Sequence, residues 1–349
     1  MIWSLAGQSR KSLALSKAER ASLGAVVSAD AQERPDPPNE RKLEIAARAA
    51  WLYHAKGTRQ DQIASDLNLS RQIVQRMIAL AASENLIRFQ LLHPLAECIE
   101  LAERVRERFD LVYCEVAPSR DPVEEDIATI ATTAALYLEN ILNQHAPATV
   151  AVGNGSTMRD IVSRVAPMTR PQHKIVSLMG NLTRHGRAAP HDVVMRLADR
   201  VGAQCYPLPM PVVTNTVAEH EVLQAQIAYH SYLSLIDEAS VAMMGIGHVG
   251  WKAPLHVDGF ITDVELAQVM EAGAVGELLG QCIDESGNLI RSSYHDRLTS
   301  HKLPIPATKP TVIVQVGKIR VPAIRAALGR RIANALITDE NTARLILGD

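Results

Sequence analysis

Aromatic side chains are scarce in this chain. Phenylalanine, tryptophan and tyrosine together make up 4 % of its 349 residues. Its core must therefore rest on alanine, valine, leucine and isoleucine. Cysteine is scarce too. Cys98, Cys114, Cys205 and Cys282 are far apart and form no CxxC pair or clustered ligand set. That spacing excludes a disulfide framework and a zinc ribbon, and it fits reduced, mostly buried thiols in a cytoplasmic protein. Long apolar runs are missing: no stretch approaches ~18 uninterrupted apolar residues, so no membrane span is expected. Nor does one sign of charge dominate. The 36 Lys+Arg and 38 Asp+Glu leave a net charge of -2, so a basic surface for nucleic acid must be local. HExxH is absent, and neither a metal site nor a cofactor is expected.

What remains is an ordinary globular balance, 47 % hydrophobic and 21 % charged, on a chain long enough for two domains, one of them large. Residues 1–38 are rich in alanine and serine and run into RPDPPNER, where Pro35, Pro37 and Pro38 break any regular element. Arg10, Lys11 and Lys17 are not followed by an apolar signal segment. The reading is a flexible arm over 1–38, a helix-turn-helix domain over 39–93, and a linker helix with a large effector domain over 94–349.

The spacing over 41–55 (RKLEIAARAAWLYHA) predicts a helix ended by Gly57. Thr58 stands where a second helix, RQDQIASDL, would be capped, and Ile63, Ala64 and Leu67 share its inner face. Asn68-Leu69-Ser70 is a tight turn, and Ser70 is a good cap for a third helix, RQIVQRMIALAASEN. Ile73, Val74, Met77, Ile78 and Ala81 are expected to pack inward. Two short helices about a tight turn, behind a supporting helix, form a helix-turn-helix. The first residues of the third helix then face the major groove, and Ser70, Arg71, Gln72, Gln75 and Arg76 become the DNA-contacting set. Arginine can pair with guanine, glutamine with adenine, and both can hold phosphate. Basic residues outnumber acidic ones over 41–93. A three-helix bundle used for packing or dimerisation fits the same pattern. Residues 86–91 alternate enough to form a strand.

Behind this module the spacing predicts a linker helix over 95–109, a strand at 111–117, and a long helix at 121–142 begun by Asp121 and Pro122. A buried strand at 148–152 runs into Gly153-Asn154-Gly155-Ser156-Thr157, and a helix follows. The glycines let the backbone curl, two hydroxyls join the exposed N–H groups, and the helix start adds partial positive charge. An oxyanion or phosphate suits such a turn; a plain turn with Ser/Thr caps is the other reading. It is neither GxxxxGK[ST] nor GxGxxG, since Met158-Arg159-Asp160 follow Thr157. Further strands are expected at 174–180, 204–213, 241–247, 311–317 and 334–338, with a helical stretch over 217–239. This alternation predicts an α/β domain with a mostly parallel sheet and helices on both faces. Ligands of such sheets sit beyond the strand C-termini. There Thr183, Arg184, His185, Arg187, His248, Lys252, Lys318 and Arg320 form a candidate set for an anionic ligand. Asp258 and Glu277 are ordinary acids by spacing.

Both halves together resemble the SorC family of sugar-responsive transcriptional regulators, grouped with the DeoR-like regulators. Four motifs carry the resemblance over residues 41–349: TRQDQIASDLNLSRQIVQRMIALAASENLI, VGNGST, AGAVGELLGQCIDESG and KIRVPAIRAALGRRIANALITDENTARLIL. The stretch LTRHGRAAPHDVVMRLADRVGAQCYPLPMPVV is most similar to the subgroup that controls catabolism of polyols such as erythritol. The resemblance implies an effector domain folded like sugar-phosphate isomerases and CoA transferases, without catalytic residues. It implies phosphate held by Gly153, Gly155, Ser156 and Thr157, Glu277 on the ligand hydroxyls, and a basic residue near the last helix pair. Where the family often has lysine after a Gly-Gly pair, this chain has Val316-Gly317 and then Arg320. Arginine can hold phosphate bidentately, in a reshaped pocket. Arg184 completes the candidate effector set. Operator DNA, a small sugar, polyol or sugar-phosphate effector, and a second or further copies of the chain are the expected partners. A sugar-phosphate isomerase-like enzyme with an added helical domain is the alternative, and a protein-binding module a second.

Replacing Gln72 and Gln75 with alanine is expected to erode discrimination between operator and random DNA by about 1–3 kcal/mol per lost base contact. Gel retardation at fixed salt measures this. Unchanged specificity in the folded double variant would remove the helix from a reading role.

Overall fold

The computed structural model describes residues 38–84, 86–87, 95–119, 127–183, 186–189 and 193–349. They fall into two compact units divided between Gln90 and Leu91.

The first unit holds α1 (Pro38–His54), α2 (Gln60–Asp66) and α3 (Arg71–Ser83). Pro38 opens α1 instead of breaking it, because the first turn of a helix has no use for the missing N–H. Three alanines, Ala46, Ala49 and Ala50, are fully buried and let the helices approach closely around Ile63, Val74 and Ala81. Arg59, not Thr58, occupies the cap position of α2, without a side-chain cap bond. The backbone N–H of Thr58 is instead bound to the Leu52 carbonyl at 3.0 Å, which closes α1. Asn68 takes the left-handed conformation (φ 57°) that reverses the chain between α2 and α3. Ser70 caps α3 as expected, its Oγ accepting the Ile73 N–H at 3.3 Å. Ile73 departs from its expected inward place: it is 40 % exposed, because the inner face of α3 is centred on Val74 and Ala81. The expected strand over 86–91 and the helix start at Asp121 and Pro122 lie largely outside the described residues.

The second unit begins with α4 (Leu95–Phe109), β1 (Tyr113–Ala117), α5 (Ile127–Leu142), β2 (Thr149–Val152), α6 (Ser156–Arg164) and β3 (Lys174–Leu182). It continues through α7 (Val194–Val201), β4 (Gln204–Pro211), α8 (Val217–Gln224), α9 (Ile227–Asp237), β5 (Val241–Met244) and α10 (Pro254–Val257). It closes with α11 (Asp263–Glu271), β6 (Gly276–Leu278), β7 (Gln281–Ile283), β8 (Thr311–Val314), α12 (Val321–Gly329), β9 (Ala335–Asp339) and α13 (Glu340–Leu347).

Seven strands form one sheet in the order β1-β9-β8-β5-β2-β3-β4, and every pair is parallel. Period-two alternation sorts their side chains. Val150, Val152, Met243, Val312 and Val314 face one layer, with Leu138, Met158, Ile161 and Leu197 from the helices. Ala151, Ala242, Met244 and Ile313 face the other, with Leu101, Ile236, Leu266 and Ile324. Helices thus cover both faces, which is why the strands read as continuous apolar runs in the sequence. The expected linker helix, α4, spends its apolar stripe (Cys98, Leu101, Ala102 and Val105) on the core of this unit. The helical stretch over 217–239 is two helices, broken where Gln226 turns extended (φ -72°, ψ 141°) before α9. The hairpin β6–β7 was not anticipated. Cys98 and Cys282 are buried, but Cys205 is exposed.

A Cβ at Gly180 would stand 2.5 Å from the Met210 carbonyl and 2.8 Å from that of Pro211. Gly180→Ala must therefore push β3 and β4 apart and is expected to cost about 1–3 kcal/mol, the usual range for forced overpacking. Urea unfolding reads the loss; wild-type stability would show that the two strands are not packed this tightly.

Candidate functional site

The strand order reverses between β2 and β5. From β2 the chain proceeds to β3 and β4 on one side, then returns to β5 and moves to β8 and β9 on the other. Crevices form at such a switch point, beyond the carboxyl ends of the strands. A cavity of about 130 Å³ lies there, a size for a small molecule. It collects residues from three strand ends and from within a fourth strand: Asn154, Gly155, Ser156 and Thr157 after β2, Gly245–His248 after β5, Gln315 and Arg320 after β8, and Met179 in β3. The hairpin adds Glu277, Leu279 and Gly280, and the segment about α10 adds Pro254, Leu255, Asp258 and Phe260.

The anion-type turn is built as follows. Gly155 has φ 127° and ψ 164°, a conformation open to glycine alone in practice, and it occupies the cap position of α6. Having no side chain, it leaves the helix start uncapped, so the first N–H groups of α6 have no intrahelical acceptor. Thr157 is buried and Ser156 exposed, and both line the cavity. Gly153 does not line it. Gly153 is buried, and a Cβ there would stand 2.9 Å from Leu279 Cδ2 and from Met244 Cβ, so this glycine serves close packing beneath the turn. Asn154, passed over between its two glycines, does line the cavity. Its Nδ2 points to the Gly180 carbonyl at 3.4 Å, while its Oδ1 is buried with no hydrogen-bond partner among the described residues. A buried acceptor left open invites a donor from a ligand.

Arg320 is half-buried and reaches back to the Val316 carbonyl at 3.1 Å. Gln315 is fixed on both sides: its Nε2 donates to the Ile246 carbonyl at 2.9 Å and its Oε1 accepts the Val316 N–H at 3.0 Å. Glu277 enters on a two-residue turn, Leu279-Gly280, with φ of 53° and 83°. Leucine in the left-handed region is strained, and the strain is held at the cavity wall. Glu277 exchanges both backbone hydrogen bonds with Gly247 at 2.9 Å, and its carboxylate lies over the Gly247 Cα, where a Cβ would be 2.1 Å from Oε1. Burial pushes the Glu277 carboxyl above the ordinary glutamate range; the Gly280 N–H, donating to Oε2 at 2.7 Å, opposes the shift. The cavity therefore has an uncapped helix start and a guanidinium, together with the acids Asp258 and Glu277. Donors and acceptors together suit a ligand with an anionic group and several hydroxyls.

Of the remaining candidates, His248 lines the cavity, while Thr183, Arg187, Lys252 and Lys318 do not. Arg184 and His185 lie outside the described residues. Asp258 had no local signal in the sequence; it is brought in by the turn of α10. Among the described residues no group of three or more His, Cys, Asp or Glu is placed to hold a metal ion. No described helix is long and apolar enough to cross a membrane.

On the first unit, α3 exposes Arg71, Gln72, Gln75 and Arg76. Arg71 bridges to Asp61 on α2 at 3.5 Å. That exposed pair is worth little in stability. The Ser70 hydroxyl is engaged in capping.

A helical unit with exposed arginines and glutamines on its last helix, joined to an α/β unit with a crevice lined by both charged and apolar side chains, defines the class of a ligand-responsive regulator. The family described as "Putative sugar-binding domain" matches residues 93–348. The erythritol catabolism regulatory protein EryD of Brucella abortus (strain 2308) is 30% identical over 304 residues, which are 87% of this chain and 96% of that protein. The transcriptional regulator LsrR of Escherichia coli (strain K12) is 27% identical over 315 residues, covering 87% of this chain and 94% of that one. Among solved structures, the full-length sorbitol operon regulator SorC from Klebsiella pneumoniae superposes with a TM-score of 0.63 at 18% identity, covering 88% of this chain and 99% of that one. The chain belongs to the SorC/DeoR family of sugar-responsive transcriptional regulators.

An acid whose folded-state pKa is raised gives stability that is full below its unfolded value and lost as pH rises through the folded one. Glu277→Gln removes that loss. The variant is expected to gain in melting temperature over wild type at neutral pH, with the gain closing as pH falls toward about 4. A difference independent of pH would mean that burial of this carboxylate is not what the substitution relieves.

Proposed function

We propose that the chain is an operator-binding regulator of a carbohydrate catabolic operon, switched by a polyol or polyol phosphate in the cavity at the β2/β5 switch point. One observation carries the reading: a turn with an uncapped helix start, Arg320, Glu277 and the open acceptor of Asn154 all line one crevice. The 30% identity to a protein named for erythritol catabolism supports the choice of a short polyol. In this reading Gly155, Ser156, Thr157 and Arg320 hold the anionic group, while Glu277 and Asn154 meet hydroxyls. Gly153 supports the turn, and Arg184 is retained as an effector contact to be tested.

The division of labour follows the sequence reading: residues 39–93 bind the operator, 94–349 bind the effector, and 1–38 form an arm. Ser70, Arg71, Gln72, Gln75 and Arg76 form the DNA-contacting set. Two or four copies assemble, because one reading helix covers only a few base pairs and a paired half-site supplies the missing specificity. The parallel sheet with its ligand at the strand C-termini supports a likeness to sugar-phosphate isomerases and CoA transferases at the level of fold. The protein acts in the cytoplasm, where operator and sugar phosphate are both found.

Thr157→Val keeps the shape but removes a hydroxyl, and Arg320→Gln removes the charge. Each is expected to weaken an effector held through its phosphate, by about 1.5–3 kcal/mol for a charged hydrogen bond, while leaving operator binding without effector nearly intact. Calorimetry with erythritol and its monophosphate reads the change. Wild-type affinity in both variants would sink the site; preference for the unphosphorylated polyol would overturn the phosphate assignment.

A further inference from the structure

Among the side chains at the start of α3, Ile73 fits a polar reading surface least. It is 40 % exposed and joins neither of the unit's two hydrophobic clusters. A β-branched residue is also a weaker helix former than the alanine, lysine or glutamate that an idle exposed position would accept. At ~100° per residue, Ile73 lies about 60° round the helix from Arg76 and about 100° from Gln72, on the flank of the outward face. The turn that carries it is pinned at Ile73 itself, since its N–H is the donor to Ser70 Oγ. The side chain has essentially one χ1 state in a helix, so its place is set by the backbone.

We propose that Ile73 is a base-reading residue whose side chain packs on the 5-methyl group of a thymine in the operator's major groove. The inference rests on the reading role proposed for α3. The neighbouring Arg71, Gln72, Gln75 and Arg76 supply donors and acceptors for guanine, adenine and phosphate. The thymine methyl is the apolar feature that base edges display in that groove, and an aliphatic side chain is its natural partner. A rigid apolar group among four flexible polar ones would thus fix one base pair that hydrogen bonding alone leaves unread.

The test uses the full-length protein. Its operator is first selected from a pool of random duplexes. Each thymine of the selected site is then replaced by deoxyuridine, which removes the 5-methyl and keeps the pairing. Wild type is expected to lose about three- to fivefold in affinity at one thymine per half-site, the scale of one buried methyl group. Ile73→Ala is expected to bind the thymine and deoxyuridine duplexes alike, and Ile73→Val to keep part of the difference. Thermal unfolding checks that both variants are folded. If no thymine-to-deoxyuridine change weakens wild type, or if Ile73→Ala keeps the full difference, the inference is wrong while the reading helix stands. If no sequence is enriched from the pool, the reading role of α3 falls, and this inference with it.

Discussion

Seven strands running in one direction place every strand C-terminus on the same edge of the sheet, and the reversal of strand order between β2 and β5 opens a crevice there. The site depends on that constraint. The 153–157 turn, the 245–248 loop and Arg320 are far apart in sequence, yet each follows a strand of the central block and so arrives at one place. A single antiparallel strand in that block would carry its following loop to the opposite edge. The hairpin then closes the crevice from the side, with Glu277 fixed by its backbone exchange with Gly247 and by the Gly280 N–H. Glycine at 153 and 247 marks where that closing leaves no room for a side chain.

Much of this was legible in the sequence, for physical reasons. Buried parallel strands read as unbroken apolar runs, as in TVAV and TVIV, and the turn after the first of them carries its own chemistry. Ser70 was legible as a cap because hydroxyl capping is local. The errors arose where tertiary packing decides. Thr58 had the right chemistry for a cap, but closing α1 took its backbone, and Arg59 took the cap position. Ile73 fell within an apolar pattern that has two candidate inner faces, and packing against Ala46, Ala49 and Ala50 chose the one through Val74 and Ala81. The hairpin β6–β7 is three residues per strand, too short to show a period. Asp258 was invisible because nothing near it in sequence says that α10 folds over the strand ends. Asn154 was hidden in plain view: its neighbours have obvious roles, and its own appears only as a buried acceptor without a donor.

The family places a sugar-responsive regulator on this scaffold, and the arrangement explains what an effector can do there. A ligand bridging the turn before α6, the hairpin and the residues after β8 would tie together segments far apart in the sequence. Such a ligand favours the arrangement in which all three hold it, and can shift the chain only as far as its affinities for two arrangements differ. The acids are part of that selectivity. A carboxylate on the ligand near Glu277 or Asp258 would meet like charge, whereas a hydroxyl can donate to either. A ligand hydroxyl therefore suits the acid-lined part of the cavity better than a ligand carboxylate.

An effector seated in this cavity is proposed to change operator affinity. Thermodynamic linkage makes that effect reciprocal: an effector that weakens operator binding by some factor must itself bind the operator complex more weakly by the same factor. The direct measurement is effector affinity, by calorimetry, for the free protein and for the protein saturated with operator duplex, with operator affinity measured with and without effector. Equal factors are expected from the two directions, of about 5–150-fold as is typical of such coupling. An effector that binds the cavity with the same affinity in both states, and leaves operator affinity unchanged, would contradict it.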